Sequence, residues 1–268
     1  MPKSTEPAGA GPRLLAPDEP GPFHAVRRHG RSGFVIVVDH ASRRIPRRLG
    51  DLGLPAEELQ RHIAWDIGSL GVASMVSAQL DAPLVAQNYS RLVIDCNRDP
   101  SVASSIPRLS EATTIPGNVG LTPGQVAERR TEIFDPYHAH IGALLDERQA
   151  QGRHTILVAQ HSMTDIYLGA RRPMHAAVLY NRDARFALLV RQQLEREAGL
   201  IVAENEPYFV SDESDYTIPR HAEQRALPYV AIEIRQDLVA DEPGQAAWAR
   251  RIAHALRQAE RTFLGAQG

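Results

Sequence analysis

Cysteine is almost absent: Cys96 is the one thiol in 268 residues. That excludes an intramolecular disulfide framework and a zinc site built on several cysteines, and it fits a reducing cytoplasm, so any metal here has to be held by histidine and carboxylate. Lysine is equally scarce, with Lys3 alone among 30 basic residues. The rest are arginines, a bias that makes a single arginine informative only through its position. The formal charge of -2 leaves no basic field for nucleic acid and no polybasic patch for a membrane surface. No apolar run reaches the length of a membrane span and no charged-then-apolar leader opens the sequence, so neither a span nor a secretory signal is supported. The G-x-G-x-x-G pattern of a dinucleotide fold is missing after the first strand, and neither Ser42 nor Ser162 sits in a G-x-S-x-G elbow.

What is there reads as α/β. A hydrophobic content of 43% is ample for a continuous core. Residues 1–22 are rich in Pro and Gly with little apolar periodicity and read as a flexible arm; residues 23–268 read as one domain. Strands are expected at "GFVIVV", "PLVAQ", "RLVID", "HTILVAQH", "MHAAVLY", "LIVAE" and "YVAIEIR", and helices over about 56–80, 122–151, 183–198 and 245–264. Thr122, Pro123 and Gln125 form the signature of a capped helix start. The Pro- and Gly-rich stretch 100–121 reads as a long loop placed to cover a site. Strands alternating with helices imply a mostly parallel or mixed sheet covered on both faces.

Three apolar strands end in residues that metal chemistry uses: His40, His161 and Glu233. In open α/β sheets the ligand crevice lies beyond the carboxyl ends of the strands, where these residues meet. On the expected helix "HIAWDIGSLG", Ile63, Asp66 and Leu70 share a face, which puts Asp66 partly on the apolar side, a costly place for a carboxylate that is neither paired nor coordinating a cation. His62, one turn earlier, reads as a surface or supporting residue, or else as a partner to Asp66. Two imidazoles and a carboxylate with an open fourth position are the ligand set of a catalytic zinc site, and Glu233 is the natural general base.

The blocks "VVDHAS", "HIAWDIG", "NYSRLVIDCNRDP", "QHSM", "NEPYFVSDESDYTIPRHAE" and "IEIRQDL" together resemble the N-formylglutamate amidohydrolase family from about Gly33 to Phe263. The resemblance implies a three-layer αβα fold with a central mixed sheet, zinc-carboxypeptidase-like within the phosphorylase/hydrolase-like group. It also implies metal-dependent cleavage of N-formyl-L-glutamate to formate and glutamate in histidine degradation. It places one zinc ion, replaceable by other first-row divalent metals, on His40, Asp66 and His161, with Glu233 as base. Related zinc carboxypeptidases carry a glutamate ligand three residues after the first histidine. Here that position is Arg43, so the second ligand must come from elsewhere, which favours Asp66.

A dianionic substrate calls for arginine forks, and Arg91, Asn97 and Arg98 are ranked first for that task, with Arg235, Arg171 and Arg172 behind them. Asp95 and Asp99 are equally suited to orienting those arginines. His221 is a candidate donor to the developing oxyanion, although a satisfied loop histidine is the commoner case. His138 and His140 point about 200° apart on their helix, too far to share one ion. Cys96 reads as inert packing. Two alternatives stand beside this reading: a zinc hydrolase of another N-acyl amino acid or peptide, and a non-catalytic small-molecule binding protein. The expected partner is a small N-acyl amino acid, with no nucleic acid or membrane and no indication of oligomeric state.

Overall fold

The computed structural model describes residues 13–266. Eleven strands and six α-helices are arranged in chain order as β1 (Phe23–Val26), β2 (Phe34–Val38), α1 (Ser69–Leu80), β3 (Leu84–Gln87), a hairpin of β4 (Leu109–Ser110) and β5 (Thr113–Thr114), α2 (Pro123–Arg129), α3 (Asp135–Ala150), β6 (Ile156–Met163), a hairpin of β7 (Ile166–Tyr167) and β8 (Ala170–Arg171), β9 (Ala176–Leu179), α4 (Arg185–Leu194), β10 (Val202–Glu204), α5 (Thr217–His221), β11 (Tyr229–Arg235) and α6 (Glu242–Gly265). Seven strands form one mixed sheet in the order β1-β3-β2-β6-β11-β9-β10. Its centre, β3-β2-β6-β11, is parallel; β1 runs antiparallel to β3, and β9 antiparallel to β11.

The pleat sorts alternate side chains of the central strands to opposite faces. Phe34, Ile36 and Val38 of β2 join a cluster with residues of α1, α4 and α6, whereas Val35 and Val37 pack with Tyr137, Ile141 and Leu144 of α3 and with the irregular segment 89–96. Both faces are therefore covered, which is why these strands read as unbroken apolar runs. In α6 the residues Trp248, Ile252, Ala255, Leu256, Ala259 and Phe263 recur at helical spacing and are buried, and the Asp241 side chain caps the start by accepting from Gly244 N–H at 2.8 Å. Thr122 and Gln125 close a capping box at the start of α2.

The structure corrects four expectations. Residues 1–12 lie outside the described part of the chain, but 13–22 are not loose: Leu14 is buried, its N–H donates to Glu132 at 2.7 Å, and the Pro20 carbonyl accepts from the Tyr89 hydroxyl. The helix expected over 56–80 begins only at Ser69, preceded by turns and a single 3-10 turn at Glu58–Gln60. Gly68 is the reason: it takes φ 78° directly against Val239, where a Cβ would overlap the Val239 carbonyl oxygen. "RLVID" is a turn rather than a strand, because Ser90 and Asp95 side chains accept from the N–H groups of Leu92 and Asn97 and so replace the ladder bonds. The helix expected over 122–151 is interrupted by a π turn at Arg130–Phe134, just ahead of Pro136, which has no N–H to donate.

Candidate active site

Three backbone features bring the sequence-predicted residues together. His40 leaves the carboxyl end of β2, and its carbonyl accepts from Asp66 N–H at 2.9 Å, so the turn before α1 is pinned to the strand end. The Ser162 hydroxyl of β6 donates to the Ile67 carbonyl at 2.7 Å and holds the same turn from the other side, a structural use rather than a nucleophilic one. Finally, β11 pairs with β6 in a register that sets Glu233 opposite His161. The four side chains are all buried.

Their atoms converge in a particular way. His40 Nδ1 lies 3.2 Å and His161 Nδ1 2.9 Å from the same oxygen, Oδ2 of Asp66. His40 Nε2 is 2.7 Å from Asp95, and His161 Nε2 faces Asp39 at 3.6 Å. Each imidazole thus turns one nitrogen inward to a shared point; His40 has the other hydrogen-bonded to a carboxylate, the arrangement that fixes ring orientation and tautomer in metal-ligating histidines, while that of His161 faces Asp39 at ion-pair distance. The backing acids are themselves held: Asp95 by Arg91 at 2.7 and 3.1 Å, Asp39 by the hydroxyls of Tyr137 and Thr217 at 2.8 and 2.9 Å. His40, Asp66 and His161 each offer a ligand atom, all within 4.8 Å of one another. Arg43, three residues after His40, lies over the Trp65 ring with 5.8 Å to its centroid.

The electrostatics fit a cation at that point. Burial disfavours the charged forms of Asp66 and His161, but His40 and His161 together outweigh it at Asp66, holding its carboxyl well below the ordinary range, and Asp66 outweighs it at His161, raising that ring to about 9. Burial and Arg91 oppose a charge on His40, yet Asp95 and Asp66 raise it as well. Negative charge from Asp39, Asp66, Asp95 and Glu233 therefore gathers around two imidazoles that take up protons where no other cation is provided. Glu233 differs: burial pushes its carboxyl up to about 7, and its Oε2 has no hydrogen-bond partner. A carboxylate poised this way is suited to taking and returning a proton.

The cluster opens into a cavity of about 460 Å³ lined by His40, Asp66, His161 and Glu233 together with Arg91, Asn97 and Arg98. These arginines arrive with partners. Arg91 is bound to Asp95 and lies 3.5 Å from Asp66; Arg98 pairs with Asp215 at 2.6 Å, and Asn97 donates to the same carboxylate. Two expected residues are not in this company. Arg235 turns to Asp237 at 2.8 Å and to the carbonyls of Arg172 and Met174, being at the end of its strand beyond the cavity. His221 is buried against His138, Nε2 to Nδ1 at 2.9 Å, and does not line the cavity. His138 in turn donates from Nε2 to the Cys96 carbonyl at 2.8 Å.

The far wall was not anticipated. It is built by 207–215, following a cis Glu206–Pro207 bond, with Tyr208, Phe209 and Val210 facing the cavity, while none of the residues 100–121 lines it. Only the Pro and aromatic content of that stretch hinted at such a role. His62 lies on the cavity wall but outside the ligand group, close to Glu111 at 3.8 Å. Among the described residues no helix is long and apolar enough to cross a membrane.

Comparison with known proteins places this arrangement. The model of the N-formylglutamate amidohydrolase family matches residues 32–240. The crystal structure of gene product Atu2144 from Agrobacterium tumefaciens is similar with a TM-score of 0.91 and 36% identity, over 94% of this chain and 99% of that one. An N-formylglutamate amidohydrolase from Ralstonia eutropha JMP134 is similar with a TM-score of 0.59 and 22% identity, over 91% of this chain and 99% of that one. No curated protein matches. With more than half of its length matched by the family model, the chain belongs to the N-formylglutamate amidohydrolase family, hydrolases acting on amide bonds.

Proposed function

We propose that the chain hydrolyses N-formyl-L-glutamate to formate and L-glutamate, using one divalent cation, zinc in the first instance, held by His40 Nδ1, His161 Nδ1 and Asp66. The observation that carries this is the convergence of two carboxylate-backed imidazoles on one aspartate oxygen, beside an unpartnered buried glutamate. A cation bound there supplies a Lewis acid and an acidified water. The chain's own groups do the rest. Glu233 accepts a proton from the attacking water as its oxygen bonds to the formyl carbon. The same carboxyl then returns the proton to the amide nitrogen as the C–N bond breaks, releasing formate and the amine of glutamate. Asp39 and Asp95 hold the two rings in place, and Arg91 keeps Asp95 ionised. Asn97 and Arg98, steadied by Asp215, form the wall available to substrate. The single buried thiol accords with work in the cytoplasm, and the liberated glutamate with a place in histidine catabolism.

One observation favours a second reading, hydrolysis of a longer N-acyl amino acid or peptide. A neighbouring cavity, also about 460 Å³, shares His62 and Thr164 with the first and offers room beyond a formyl group. A panel of N-formyl, N-acetyl and N-succinyl amino acids, assayed with metal-reconstituted protein, separates the two. N-formyl-L-glutamate is expected to show the highest kcat/KM; equal rates across the acyl groups would defeat the formyl assignment.

A further inference from the structure

Arg172 is a buried cation beside the cavity that no carboxylate among the described residues neutralises. The residue is 7% exposed. Its Nη1 donates to the Thr164 carbonyl at 3.2 Å, and its guanidinium carbon lies 4.8 Å from the Tyr208 ring centroid and 5.2 Å from that of Tyr167. Thr164 and Tyr208 both line the cavity that holds Glu233, and Arg172 stands directly behind these two wall residues. Among the described residues no carboxylate comes within ion-pair distance of this guanidinium. The arginines nearest the site differ: Arg91 is bound to Asp95, Arg98 to Asp215, and Arg235 to Asp237, whereas Arg129 and Arg148, buried elsewhere without a carboxylate, each spend their donors on three oxygen acceptors.

A buried guanidinium met by one carbonyl and two aromatic faces keeps N–H donors in reserve, and a charge withdrawn from water without a counter-ion is costly. A carboxylate relieves both, since it accepts two parallel hydrogen bonds from the planar fork. Position selects which carboxylate. Thr164 stands three residues beyond His161, so at strand rise the carbonyl gripping Arg172 lies roughly 10 Å along the chain from that ligand. An extended glutamyl side chain and one hydrogen bond cover a comparable span.

We propose that Arg172 anchors the distal carboxylate of a dicarboxylic substrate, with Tyr167 and Tyr208 holding the plane of its guanidinium. This deepens the N-formylglutamate reading and rests on it for the amide that is cleaved, but not for the anion that is gripped.

The test compares metal-reconstituted wild type with Arg172→Lys and Arg172→Met, and with Arg250→Gln, an exposed arginine of α6 outside the cavity lining, as control. Metal content and melting temperature establish that each is folded, and the Lys variant carries the test if the Met variant is not. With Arg172→Lys, kcat/KM for N-formyl-L-glutamate is expected to fall roughly 10-fold or more, because the charge stays and the two-pronged bond is lost. N-formyl-L-norvaline, which keeps the α-carboxylate alone, is expected to change much less, and Arg250→Gln to change neither. An equal fall on both substrates, or on neither, overturns the assignment. Calorimetric titration of glutarate against valerate reads the anchor without turnover: wild type is expected to prefer the dicarboxylate and Arg172→Lys to lose the preference. Should wild type fail to cleave N-formyl-L-glutamate, the substrate reading falls while this titration still decides Arg172, since a glutarate preference unchanged in the variant, or absent from wild type, overturns the anchor.

Discussion

Glu233 and His161 lie opposite one another on the parallel strands β11 and β6, so their side chains leave the sheet on the same face and in the same row. His161 is a ligand candidate and Glu233 the unpartnered acid, and a one-residue slip of register would send one of them to the opposite face of the sheet. The relationship makes their roles separable. Replacing His40 or His161 by Ala, or Asp66 by Asn, is expected to abolish stoichiometric metal binding, whereas Glu233→Gln keeps the metal and lowers kcat by roughly 10²-fold to 10⁴-fold, the usual contribution of a positioned base. Elemental analysis and steady-state rates read both. A Glu233→Gln protein purified without metal would make Glu233 a ligand.

The carboxylates behind the rings give the second prediction. Asp95 and Asp39 touch His40 Nε2 and face His161 Nε2 without reaching Asp66, so Asp95→Asn or Asp39→Asn leaves all three ligand side chains in place. Metal affinity is expected to drop about 10-fold to 100-fold for each. Competition with a chelator of known affinity measures it, and unchanged affinity in both variants would mean that the rings are oriented by packing alone.

The convergence of His40, His161 and Glu233 was legible in the sequence, and the reason is local. They sit at or near the ends of mainly apolar strands, and a buried parallel strand shows where its carboxyl end points. Asp66 joins the cluster by another route than the helix face its neighbours' spacing suggests: it lies in a turn whose geometry Gly68 and Val239 set. Arg235 illustrates the opposite failure. A strand-end arginine near the site was a fair candidate, but Asp237, two residues away, captures it, a competition between side chains that strand pattern does not report. Arg172 was ranked low because nothing in a sequence rich in arginine says which guanidinium lacks a counter-ion. The wall at 207–215 was unreadable for the same kind of reason, since irregular backbone carries no period from which to infer a face.

Arg129 supplies the third prediction, on stability. It is fully buried, and its guanidinium donates to the carbonyls of Val93 and Gly117 and to Asn118 Oδ1, while Asn118 donates to the carbonyls of Leu92 and Pro107. This network holds the irregular segment that carries Asp95, Asn97 and Arg98, which has no strand to stiffen it. Arg129→Met leaves those buried acceptors unpaired and is expected to cost about 2–4 kcal/mol. Chemical denaturation reads the loss, and a midpoint within error of wild type would show that the segment is held by packing.

The fourth prediction follows from the His138 and His221 pair. A carbonyl only accepts, so His138 carries its proton on Nε2 for Cys96 and receives His221 Nε2–H at Nδ1, which leaves both rings neutral and His221 Nδ1 without a partner. Burial lowers the pKa of His138 to about 4 and that of His221 to about 2. An unfolded histidine takes up its proton near pH 6.5. Between pH 6.5 and about 4 the unfolded chain therefore binds protons that the folded chain refuses, so stability rises with pH across this window and is lost as pH falls through it. The pair's contribution is whole above pH 6.5 and is expected to be smaller near pH 4 by about 3 kcal/mol for each ring. His138→Gln preserves a donor to the Cys96 carbonyl and removes one titrating ring. Urea midpoints for the two proteins, measured from pH 7 to 4.5, are expected to converge as pH falls, because every other titration is common to both. Parallel curves over the whole range would mean that the imidazoles are protonated in the folded state, and that their hydrogen bond is not the neutral one drawn here.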